Sequence, residues 1–82
     1  MDDITLEAII DMLSEIEEDI DYETVTTLVD DRHLDSFDIL AIIAAIDEEF
    51  DVSVPAKDIV PENFNSAQSI LELVRRLANE ED

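Results

Sequence analysis

The sequence predicts an all-α fold, a four-helix bundle with three main helices, one short third helix and a long loop between the first two. Apolar residues recur at alternating steps of three and four in three separate stretches, the spacing that stacks them on one face of a helix. The chain has no Gly and only two Pro, so it lacks the punctuation of a hairpin-rich fold. Hydrophobic residues make up 46% of it but aromatic residues only 5%, which calls for an aliphatic, helical core. Its 82 residues suit a single domain over 1–82 with a modest interior.

In the first helix Asp2 or Asp3 is the expected N-cap, and Leu6, Ile9, Leu13, Ile16 and Ile20 form the buried face. Glu7, Asp11, Glu15 and Glu18 fall on the opposite side, which is therefore wet. Membrane-surface helices place Lys or Arg on the polar face; here that face is acidic, so the helix turns inward to a core. From Asp21 to Leu34 the period is lost, and Thr24-Val25-Thr26-Thr27 is a poor helix former. A loop this long is normally functional or pinned by its own apolar residues, here Leu28 and Val29.

The stretch from Leu34 to Phe50 carries the strongest helix signal, with Ile39, Ile43, Ile46 and Phe50 as its core stripe. Asp35 is the N-cap and Asp38, three residues on, its capping-box partner. Ser36 then occupies the first helical position with its hydroxyl toward solvent. An anion attached there is favoured by the free backbone N–H groups and the positive end of the helix dipole. Phe37, Leu40 and Ala44 share a neighbouring face at i, i+3, i+7 spacing. They form either an exposed apolar patch beside Ser36 or further core, and the pattern leaves both open.

Asp30, Asp31, Asp35 and Asp38 crowd the approach to Ser36. They lack the glycine and terminal Glu of a calcium-binding loop, so they read as caps and solvated acids, with no dedicated metal site. His33 lies three residues before Ser36, but no nucleophile elbow or orienting group accompanies the pair. A serine hydrolase is thereby disfavoured, and His33 reads as an exposed loop residue.

Pro55 suits the first turn of a short helix over Ala56–Val60, with Pro61 stopping it and Ile59 closing one side of the core. Asn63-Phe64-Asn65-Ser66 turns the chain, with Asn65 or Ser66 as N-cap and Gln68 in the capping-box position after Asn65. The last helix, about 67–78, buries Ile70, Val74 and Leu77 with help from Leu71 and Ala78. Arg75 and Arg76 suit its negative pole, and Glu80-Glu81-Asp82 is an expected frayed tail.

Four basic residues against 24 acidic give a formal charge of −20. Such a chain repels nucleic acid and anionic membranes and attracts basic protein surfaces. With no cysteine it supplies neither disulfide nor thiol. No apolar run approaches the ~20 residues of a membrane span, and Met1-Asp2-Asp3 lacks the positive region of a signal peptide. The expectation is a cytoplasmic monomer without membrane insertion.

Asp35-Ser36-Phe37, the helix after it, and Glu48-Glu49-Phe50-Asp51-Val52-Ser53-Val54-Pro55 closely resemble the acyl carrier proteins. The likeness runs over nearly the whole chain, including the Pro55 segment and the last helix. It implies a bundle of the acyl-carrier type, with Ser36 as the attachment site of a 4′-phosphopantetheine phosphodiester taken from coenzyme A. Asp35 is implied to cap the helix and present the serine to a phosphopantetheinyl transferase. Phe37 replaces the family's usual Leu. The resemblance further implies that Phe37, Leu40 and Ala44 contact partner enzymes while Asp38, Asp47, Glu48 and Glu49 meet their basic docking residues. It implies that Leu28 and Val29 line the mouth of a space for an acyl chain. Expected partners are an acyl- or aminoacyl-activating ligase and downstream enzymes of fatty acid or secondary metabolite biosynthesis. Such a protein is not an enzyme but carries thioesters. Leu34, Phe37, Ala41, where many fatty-acid carriers have an acid, and the Asn63–Ser66 turn look more like specialised carriers. The alternative class is an acidic helical protein-interaction module with no covalent cofactor.

Overall fold

The computed structural model describes residues 4–80, and over this range it is helical with no strand. Helix α1 is Leu6–Ile16, α2 is Ser36–Phe50, a 3₁₀ turn covers Ala56–Asp58, α3 is Pro61–Phe64 and α4 is Ala67–Glu80. The expected bundle of three main helices and one short one is thus observed, with a long loop between α1 and α2. Helix α4 packs against α1 and α3, and α1 against α2. Ile9, Leu13, Ile42, Ile46, Ile70 and Val74 are fully buried at the centre of the core.

Helix α1 begins later than expected. Thr5 is its N-cap, in extended backbone, and its hydroxyl accepts from the Ala8 N–H at 3.2 Å. A hydroxyl three residues before a free N–H is the better-placed acceptor; Asp2 and Asp3 lie outside the described residues. The helix stops at Ile16, so Ile20 packs on the core from the loop. Tyr22, buried, closes the end of the helix by donating its hydroxyl to the carbonyls of Leu13 (3.1 Å) and Glu17 (2.6 Å); the Leu13 carbonyl also accepts from the Glu17 N–H at 2.9 Å. The interior face is Ile9, Met12 and Leu13, whereas Leu6 remains 38% exposed.

In α2 the buried residues are Ile42 and Ile46, while Ile39, Ile43 and Phe50 are half-buried. The stripe is turned by about one residue from the expected one, because Ile42 and Ile43 offer two overlapping apolar faces and the packing against α1 selects the first. The helix ends on Asp51 at φ 57°, ψ 41°. In a chain without glycine an Asp takes this left-handed C-terminal position, which short polar side chains tolerate.

The segment after α2 departs most from expectation. The turn at Ala56–Asp58 is 3₁₀, and Pro61 does not end a helix but opens α3 at its first position, where a fixed φ and a missing N–H cost nothing. Phe64, read as part of a turn, is fully buried, whereas Ile59 is 39% exposed and does not close the core. The bulkier aromatic side chain joins the core instead.

Helix α4 is capped by a pair of serines: Ser69 N–H donates to Ser66 Oγ at 3.0 Å, and Ser66 N–H to Ser69 Oγ at 3.1 Å. Gln68, the expected partner of Asn65 in a capping box, instead bonds Glu72. The helix reaches Glu80, expected in the tail, which pairs with Arg76 at 3.3 Å; residues 81–82 are outside the described range. Arg76 also bridges to Asp58 at 3.0 Å, and Arg75 Nε donates to the Ile4 carbonyl at 2.9 Å. Both arginines therefore tie neighbouring segments to α4; with the helix running on to Glu80 neither lies in its last turn, so the expected match to its negative pole is not observed.

Candidate functional site at the start of helix α2

Ser36 is exposed at the first position of α2, and the residues on either side hold it there. Asp35, in extended backbone at φ −105°, ψ −173°, accepts from the Asp38 N–H at 2.9 Å, and Asp38 accepts in return from the Asp35 N–H at 3.2 Å. The expected capping box is complete. Upstream, Leu34 is buried and its N–H donates to the Leu28 carbonyl, whose own N–H donates to the Asn65 carbonyl at 2.8 Å. The serine thus projects from a backbone fixed on both sides while its hydroxyl faces solvent.

The face next to it is apolar and open. Phe37 is 82% exposed and Leu40 60%, with Ala41 and Ala44 also exposed. Of the two readings left by the spacing, the surface patch is the observed one. Leaving a bulky aromatic side chain in water forgoes the stabilisation that burial gives, about 1.5–3 kcal/mol for such a residue. Asp47, Glu48 and Glu49 are exposed along the same helix, and Asp38 is half-buried in its cap.

Other acids near the serine are spent on structure. Asp31 accepts from the Thr27 hydroxyl, and Asp30 accepts from the Asn65 side chain at 3.2 Å. Among the described residues no group of three or more His, Cys, Asp and Glu side chains is arranged to hold a metal ion. His33 is exposed, as expected of a loop residue.

Two features of this region were missed by sequence reasoning. Glu17, just after α1, faces the α2 cap: the Asp38 charge, some burial, a hydrogen bond to Asp38, and then Asp35 and Asp19 hold its carboxyl above the usual carboxylate range. Burial, followed by the charges of Glu17 and Asp38, pushes the Tyr22 hydroxyl up to about 12, so it stays a neutral donor. Asn65 is the second: its side-chain oxygen accepts from the N–H groups of both Val29 and Asp30 at 3.0 Å. It latches the long loop beside Ser36 to the α3–α4 junction.

Known proteins resemble this chain over most of its length. The acyl carrier protein of Buchnera aphidicola subsp. Baizongia pistaciae is 36% identical over 61 residues, covering 74% of this chain and 73% of its own. That of Clostridium perfringens strain SM101 is 35% identical over 68 residues, covering 83% and 84%. The chain belongs to the acyl carrier protein family. No family model matches it, and no solved structure does. Membership makes it a carrier in general terms and not an enzyme. Among the described residues no helix is long and apolar enough to cross a membrane.

Proposed function

We propose that this carrier holds acyl or aminoacyl groups as thioesters on a 4′-phosphopantetheine arm attached through Ser36. The observation that carries the reading is the exposed serine at the first turn of α2, fixed by the Asp35–Asp38 capping box beside the open Phe37–Leu40 patch. The residues fit the group. A phosphodiester on Ser36 would stand at the positive end of a 15-residue helix, where a negative charge is stabilised. The nearest acids, Asp35 and Asp38, already direct carboxylate oxygens at backbone N–H groups. When bound, the arm supplies the thiol that a chain without cysteine lacks.

This chain's residues do the positioning. Asp35 keeps the Ser36 hydroxyl at the helix start, where a phosphopantetheinyl transferase can reach it. Phe37, Leu40 and Ala44 form the apolar centre of a docking face, and Asp38, Asp47, Glu48 and Glu49 surround it with negative charge. An acyl- or aminoacyl-activating ligase and later acyl-processing enzymes with basic surfaces are the partners of such a face. Charge complementarity of this kind speeds association, and small interfaces separate readily, as a shuttle requires.

The test is the intact mass of the purified protein before and after incubation with coenzyme A and a broad-specificity phosphopantetheinyl transferase. The expected result is a gain of one phosphopantetheine in the parent and none in Ser36→Ala. No gain in a folded parent would overturn the reading and leave an acidic interaction module.

A further inference from the structure

A concave surface separate from the Phe37–Leu40 patch is built without any residue of α2. Residues of α1, of the loop at 22–26 and of the start of α4 enclose an open groove of about 600 Å³. Leu6, Ile10 and Val25 give it apolar lining, all of it partly exposed. Glu7, Asp11 and Glu23 add three carboxylates, every one solvent-exposed and, among the described residues, without an ion-pair partner. None of the chain's four Lys and Arg residues, Arg32, Lys57, Arg75 and Arg76, lines the groove.

An apolar floor beside unpaired carboxylates selects its occupant by chemistry. A second copy of this chain brings a charge of −20 toward the same sign, and nucleic acid or an anionic membrane surface is repelled likewise. What complements the groove is a bulky apolar side chain flanked by Lys or Arg, the pattern of a basic amphipathic segment. We propose that this groove docks such a segment of a partner protein. It shares no residue with the Phe37–Leu40 patch, so one partner can hold the protein here while another engages α2. The proposal does not depend on modification of Ser36.

The probe is a synthetic amphipathic peptide of Leu and Lys at helical spacing, titrated into the ¹⁵N-labelled full chain. In the parent, amide shifts should concentrate at 6–11 and 23–26. Glu7→Lys/Asp11→Lys should weaken binding roughly tenfold or more, whereas Glu15→Lys/Glu62→Lys, which alters net charge equally at exposed positions outside the groove, should change it by less than about twofold. Leu6→Ser, leaving every charge in place, should also weaken binding at the groove. Equal weakening by the two charge-reversed pairs, or shifts concentrated at Phe37 and Leu40, would overturn the proposal. Amides of α2 and α4 that keep their parent positions report that each variant is folded.

Discussion

Asp35 and Asp38 cap each other across the first turn of α2, each carboxylate accepting from the other's backbone N–H at 2.9 and 3.2 Å. The pair satisfies two donors that the helix itself leaves free. Asp35→Ala removes one half of the box and should cost about 1 kcal/mol, a fall in Tm of roughly 4–8 °C for a domain of this size. Asp35→Asn, an equally good cap, should recover most of that loss. Thermal melts followed by circular dichroism check both; a Tm equal to the parent's in Asp35→Ala would mean that the cap does not hold the helix start.

Tyr22 ties the loop to the end of α1 through two carbonyls, and its hydroxyl is pushed from 10.0 up to about 12. A group whose folded pKa is raised contributes stability that is complete below the unfolded value and is lost as pH rises through the folded one. Stability should therefore fall between pH 10 and 12 by a tyrosinate-linked amount on the order of 1–3 kcal/mol. Tyr22→Phe should be less stable than the parent at neutral pH and should lose this part of the alkaline decline. Urea melts at several pH values measure it, and a decline of equal size in Tyr22→Phe would refute the assignment.

Asn65 reaches 35 and 36 residues back along the chain to hold Asp30 and Val29. Asn65→Ala leaves two backbone N–H groups to find other partners, at about 1–3 kcal/mol where they are shielded from water. Amide exchange at Val29 and Asp30 should accelerate more than exchange in α1 or α4. Uniform acceleration across the molecule would show that Asn65 supports the whole fold and not the loop in particular.

How far the sequence could be read depends on the range of each interaction. The α2 cap was legible because both partners lie within one turn, and the helices because their spacing is local. The Asn65 latch and the approach of Glu17 to Asp38 link residues far apart in sequence, and no local pattern announces them. The Ser66–Ser69 cap was half legible: Ser66 was a candidate, but Gln68 suggested the wrong partner. Pro61 was ambiguous in principle, since proline both ends helices and opens them, and misreading it hid Phe64 from the expected core. In α2, isoleucine at 39, 42, 43 and 46 makes the apolar surface so wide that only packing decides which residues sink and which, like Phe37, stay out.

Because Phe37 and Leu40 are exposed, their substitution separates docking from folding. Phe37→Ala/Leu40→Ala should leave stability within about 0.5 kcal/mol per site, the usual range for surface changes. On the proposed function, the same variant should slow loading by the phosphopantetheinyl transferase, read as kcat/KM, with the fold intact by circular dichroism. Unchanged loading would remove the patch from that interface, whereas a collapse of stability would return both side chains to the core.

Charge repulsion should be measurable at one residue and over the whole chain. Glu17 is held above its ordinary value of 4.5 chiefly by Asp38, so its stabilising contribution is present below that pH and is lost as the carboxyl ionises above it. At neutral pH Glu17→Gln removes an unfavourable charge and should raise Tm, with the gain vanishing as pH falls toward 4.5. The net charge of −20 makes the same argument for the molecule: added NaCl or Mg²⁺ screens exposed carboxylates over a Debye length of ~10 Å at 0.1 M and should raise the parent's Tm. Glu17→Gln, already relieved of one repulsion, should gain less from salt than the parent does. Melts across a salt series at neutral pH and near pH 4 test both parts, and a Tm that is flat or falls with salt would show that self-repulsion does not limit this fold.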